Sequence, residues 1–142
     1  MSSKEISAVV MVIGAIVVSA WVAWDARNGG IATSLSDAAW KMLWTIGYAI
    51  VFNVIAVIVA VIVVSIAQRE EVKDERADER DRQVNNKAMR NAYFVLSLGV
   101  LGVLIAQATG LDAVLGPYAL FAISMLAGAV FGASQFLYYR RG

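Results

Sequence analysis

MLWTIGYAIVFNVIAVIVAVIVVSI, residues 42–66, runs for 25 positions without a charge. At 1.5 Å per residue a helix of that length reaches about 37 Å, more than the roughly 30 Å hydrocarbon core of a bilayer. So much Val and Ile is unusual in a soluble helix. In lipid, however, an unsatisfied backbone leaves few alternatives to a helix. This stretch is therefore expected to cross a membrane.

Working outward, residues 6–24, 93–109 and 118–139 repeat the pattern. The expected fold is all-α: one polytopic membrane domain over residues 1–142, with four transmembrane helices arranged as two hairpins. Composition agrees, with 60% hydrophobic residues, 16% charged and a mean hydropathy of +0.68. A soluble domain carries about 25% charged residues. A soluble core built from these runs would lack the polar surface to cover itself.

The first span begins like a signal peptide, with Lys4 before an apolar region and Val18-Ser19-Ala20 resembling a cleavage site. Trp21 and Trp24 fit an interfacial anchor instead, so a retained span is expected. Trp40 and Trp44 mark one end of the second span, and Tyr138 and Tyr139 close the fourth. Pro117 falls in the first turn of the fourth helix, where a missing N–H costs least.

Orientation follows from the basic residues. Lys4, the central segment (Arg69, Lys73, Arg76, Arg80, Arg82, Lys87, Arg90) and the tail (Arg140, Arg141) carry ten Lys or Arg, against Arg27 and Lys41 on the other side. Both termini and the central segment, residues 67–92, should face the cytoplasm. Of the two outer loops, the first contains an Asn28-Gly29-Gly30 turn, and Ser34 with Asp37 resembles a capping box that starts the second helix before the membrane. The second, residues 110–117, is a tight turn with Asp112 as its sole charge. Both contain Leu followed closely by Asp-Ala, a match too short to indicate duplication.

Residues 69–90 hold seven basic and seven acidic side chains, with no Gly or Pro, and read as a charged helical extension. On a helical projection Arg69, Lys73, Arg76 and Arg80 share one stripe, with Glu71, Asp74, Asp78 and Asp81 opposite. Like charges at i,i+4 cost a few tenths of a kcal/mol each, so this pattern is poor for an isolated helix. It suits pairing with another helix, either a second copy or the returning part of the same segment. The turn between the second and third spans has two candidate positions: Asn85-Asn86, or just ahead of a helix capped by Asp74 or Asp78 that runs on into the third span. The acidic run Asp78-Glu79-Arg80-Asp81 favours the second. Balanced charge argues against a polybasic lipid-binding patch.

Four spans, a central Asp78-Glu79-Arg80-Asp81 motif and a third span opening Asn91-Ala92-Tyr93 resemble a group of small, uncharacterised bacterial multi-pass proteins. The resemblance implies a bacterial inner-membrane location and no activity.

Inside the spans, small residues recur every four positions: Ser124, Gly128 and Gly132; Gly102, Ala106 and Gly110; Ala15, Ser19 and Ala23. Such stripes let helices approach closely in lipid, and the stripe in the fourth span is the leading candidate for a helix-packing surface. Asn53, near the middle of the second span, is expected to hydrogen-bond between helices.

The chain has no Cys and no His, which removes disulfides, thiol chemistry, the usual zinc sites, His-ligated haem and Ser-His-Asp catalysis. No catalytic set, metal site or cofactor is expected. A net charge of +1 gives no reason to expect nucleic acid as a partner. The expectation is a non-enzymatic membrane protein acting through contacts with a second copy or another membrane protein. Its rival is a small oligomeric channel or transporter with Asn53, Gln107 and Gln135 along a shared path.

Overall fold

The computed structural model describes residues 3–68 and 79–140. Four helices account for nearly all of them: α1 (Ser3–Asp25), α2 (Leu35–Gln68), α3 (Glu79–Ala108) and α4 (Leu115–Arg140). Each is long and apolar enough to cross a membrane.

The helix ends follow local chemistry. Beyond α1 the chain turns through Ala26–Gly30, with Gly29 in the left-handed region at φ 82°. Ser34 then starts α2: its Oγ accepts the Asp37 N–H at 3.1 Å and donates to Asp37 Oδ2 at 2.7 Å. The shorter Asp takes the serine hydroxyl, where a Glu in a capping box would reach the backbone. Ser34→Ala should lower stability by about 0.5–2 kcal/mol. Denaturant titration of the purified protein measures the loss, and an unchanged midpoint would show that α2 does not need this cap.

α3 ends in a Schellman turn. Gly110, at φ 109°, donates its N–H to the Gln107 carbonyl (3.2 Å), and Leu111 donates to Ala106 (2.9 Å). Asp112 Oδ1 accepts the Val114 N–H at 3.0 Å and hands the chain on to α4.

α4 is the centre of the assembly. It packs on α1, α2 and α3; α1 also packs on α2, while α2 and α3 do not meet among the described residues. At the end that carries the Ala26–Gly30 turn, Val22, Met42 and Phe121 form a buried cluster flanked by Val18, Ile46, Tyr118 and Met125. α1 and α4 come closest at Gly132, where an added Cβ would sit 2.8 Å from the Ala8 carbonyl oxygen. α3 and α4 approach at Gly99, which lies directly against Ile123.

The chain from Glu79 to Ala108 is one unbroken helix, so Asn85-Asn86 is not the turn between the second and third spans. The reason is a continuous packing stripe. Val84, Ala88, Asn91, Val95, Gly99 and Val103 recur at three- or four-residue steps, and Val84, Ala88 and Val103 are buried. The stripe crosses the polar-to-apolar boundary without a break, and the helix follows it.

Candidate functional site

Polar side chains gather at the two ends of the bundle. At the turn end, Lys41 on α2 binds the Asp25 carboxylate and the Gly30 carbonyl. Tyr118 on α4 accepts the Ala32 N–H at 3.0 Å and donates to the Gly30 carbonyl at 3.3 Å. These bonds fasten the turn to two helices, which is a structural task.

The opposite rim is richer. It is made by the start of α1, the first three turns of α3 and the last turns of α4. Lys4 pairs with Asp81. The Arg80 guanidinium donates to the Tyr139 carbonyl at 3.4 Å. Gln135 donates to Asn85 Oδ1 at 3.1 Å. Asn91 Nδ2 donates to Ser134 Oγ (3.2 Å) and to the Tyr138 hydroxyl (3.1 Å). The Lys87 ammonium lies 6.0 Å from the Tyr138 ring centroid, within cation–π range. Together these contacts hold the polar half of α3 against α4 in a fixed register. Glu79, Arg82, Gln83, Asn86 and Arg90 face outward.

Of the residues singled out for the charged faces, Arg69, Glu71, Lys73, Asp74, Arg76 and Asp78 lie outside the described residues. Arg80 and Asp81 are described: Asp81 pairs with Lys4 of α1 and hydrogen-bonds the Tyr139 side chain, while Arg80 donates to the Tyr139 carbonyl.

The small-residue stripe of α4 divides as well. Gly132 meets α1, Gly128 faces open space, and Ser124 is exposed with its hydroxyl donating to the Leu120 carbonyl of its own helix (2.8 Å). Asn53 donates to the Ala49 carbonyl one turn back (2.9 Å), and its amide packs on Gly14 of α1. Its Oδ1 is buried without a hydrogen-bond partner among the described residues.

Asn53 also borders an apolar cleft of roughly 300 Å³ between α1, α2 and α4, shared with Met11, Ala15, Ile46, Met125 and Gly128. Gln107 lies beside Gly116, and Gln135 is at the rim. Asn53 thus sits at the α1–α2 contact, and Gln107 and Gln135 sit at opposite ends of the α3–α4 contact, so among the described residues the three line no common path within one chain.

The contacts of Asn85, Asn91, Ser134, Tyr138 and Lys4 at the rim escaped the sequence reading. Their only signal there was polar type at helical spacing near the ends of two spans. That signal becomes informative once the register of α3 on α4 is known.

Four apolar helices of spanning length, with polar contacts confined to the ends, define a multi-pass membrane protein. The chain belongs to the family described as Predicted membrane protein (DUF2178), whose model matches residues 2–142. No curated protein and no solved structure shows a significant match to it.

Proposed function

We propose that this is a non-enzymatic protein of the bacterial inner membrane that acts through protein–protein contacts. Its four spans form two hairpins with both termini in the cytoplasm, and the charged segment between the second and third spans makes the contacts. The partner is a second copy or another membrane protein.

The observation that carries this reading is the docked polar half of α3. A helix that served only to link two spans would gain nothing from Lys4–Asp81, Gln135–Asn85 and Asn91–Tyr138. Those contacts fix its orientation and turn a charged face outward, which is what a docking element requires. The orientation rests on ten basic residues against two. The non-enzymatic part rests on the clefts of the spans, whose linings are almost wholly apolar.

The test is particle mass in lipid nanodiscs at low and high salt, for the wild type and for a variant with Arg69, Lys73, Arg76 and Arg80 all changed to Gln. The expected result is a defined complex that loosens with salt and is lost in the variant, because exposed charge pairs are screened beyond about 10 Å at 0.1 M salt. A complex indifferent to both salt and the four changes would overturn the role of the charged segment. A monomer with no co-purifying membrane partner would overturn the contact reading as a whole.

A further inference from the structure

Acidic residues end early on α3. After Asp81 the next one is Asp112, while Arg82, Lys87 and Arg90 follow on the same helix. The charge balance of residues 69–90 thus conceals a basic end next to the membrane. From Asn91 to Ala108 the helix carries no charge. Those 18 residues span about 27 Å, close to the thickness of the hydrocarbon core, so Arg90 stands at the boundary between headgroups and acyl chains.

Beside Arg90 an open groove of roughly 440 Å³ runs between α3 and α4, lined by Arg90, Asn91, Phe94, Val95 and Val130. Its chemistry changes along its length. Arg90 lies at one end; Phe94 and Val95 lie about one turn deeper, with Val130 across from them on α4. Asn91 spends both Nδ2 protons on Ser134 and Tyr138. Among the described residues the Arg90 guanidinium has neither an ion-pair nor a hydrogen-bond partner. Lys87, one turn away, adds a second cation.

We propose that this groove binds one anionic phospholipid, with the phosphate on Arg90 and an acyl chain along Phe94, Val95 and Val130. A guanidinium takes a phosphate through two parallel N–H···O bonds, and the apolar wall continues at the depth where the chain must go. A soluble anion would use only the first feature, and a zwitterionic lipid would gain less from the pair of cations. This site goes beyond the contact reading above and does not depend on it.

Native mass spectrometry of the detergent-purified protein, titrated with phosphatidylglycerol or with phosphatidylcholine of the same acyl chains, tests the proposal. The first phosphatidylglycerol should bind about five- to thirtyfold more tightly than phosphatidylcholine, the scale expected for one or two interfacial cations. Arg90→Gln should remove that preference, and Arg82→Gln, away from the groove, should leave it. Val130→Phe fills the groove without touching a charge and should weaken the first binding event for both lipids, which keeps the test decisive if Arg90→Gln does not survive purification. Equal binding of the two lipids by the wild type would overturn the site, leaving bulk annular lipid only. So would loss of the preference in Arg82→Gln to the same extent as in Arg90→Gln, or a Val130→Phe variant that binds as the wild type does.

Discussion

Gly132→Ala should lower the stability of the folded protein by about 1–3 kcal/mol, while Gly128→Ala, one turn away on the same helix, should leave it unchanged or raise it. The two glycines are equivalent in sequence and opposite in surroundings. A methyl at position 132 meets the Ala8 carbonyl oxygen at 2.8 Å, and that atom belongs to the backbone of α1. It cannot rotate away, so the two helices must separate. In lipid there is no water-driven association to compensate, since helix contacts rest on packing. At position 128 an added methyl finds nothing within 4 Å. There the gain in helix propensity of about 0.5–1 kcal/mol stands unopposed. Gly102 is likewise open and should behave like Gly128. Gly14 and Gly99 are intermediate, because the obstacles are the Asn53 and Ile123 side chains, which can shift. Reversible unfolding of the five variants in mixed micelles, by titration with a denaturing detergent, ranks them. If Gly132→Ala proved as stable as Gly128→Ala, the close approach of α1 and α4 would be wrong.

That contrast shows how far a stripe of small residues can be read. Four-residue spacing places Ser124, Gly128 and Gly132 on one face, as the sequence implies. Crossing helices touch closely over a short length only, and the crossing point depends on both partners. The tight interhelical contacts at glycine accordingly fall at Gly132, Gly14, Gly99 and Gly116, of which only Gly132 belongs to a stripe. The spans themselves were legible because continuous apolarity over 17 to 25 residues is a one-dimensional signal. The continuity of α3 was legible from its acidic start and from the lack of Gly or Pro before the span. The rim was not. Asn85 meets Gln135 across 50 residues and Asn91 meets Tyr138 across 47, and no local pattern encodes such a register.

α2 adds a physical difference of its own. Its buried side chains, Ala38, Met42, Thr45 and Ala49, all lie in its first half. From Ile50 to Ile66 every residue is exposed or half-buried, and most are Val or Ile. The uncharged length of about 37 Å exceeds the hydrocarbon core, and a helix in that position accommodates by tilting. The exposure of the half beyond Asn53 agrees with such a tilt. The tilt also explains the cleft lined by Ser7, Met11, Asn53, Val54, Val57 and Ile58.

Asn91→Leu should be the most damaging change at the rim. Its amide makes two hydrogen bonds to α4, at 3.2 and 3.1 Å, and it sits in the packing stripe between buried Ala88 and half-buried Val95. Leu keeps the bulk and removes both bonds, so packing is largely preserved and the loss reports on polarity. Interhelical hydrogen bonds in membranes are worth about 0.6–2 kcal/mol each. Near the headgroups Ser134 and Tyr138 can turn to water, which favours the lower end and a total of about 1–2 kcal/mol. Tyr138→Phe alone should cost less, since Asn91 retains Ser134. The double variant separates direct coupling from general damage: its loss should fall short of the sum of the two single losses by about 0.5–1 kcal/mol. Strict additivity would mean that the Asn91–Tyr138 bond contributes nothing to the contact between α3 and α4. The register of the polar half of α3, and with it the orientation of the outward charged face, would then rest on Gln135–Asn85 and Arg80–Tyr139.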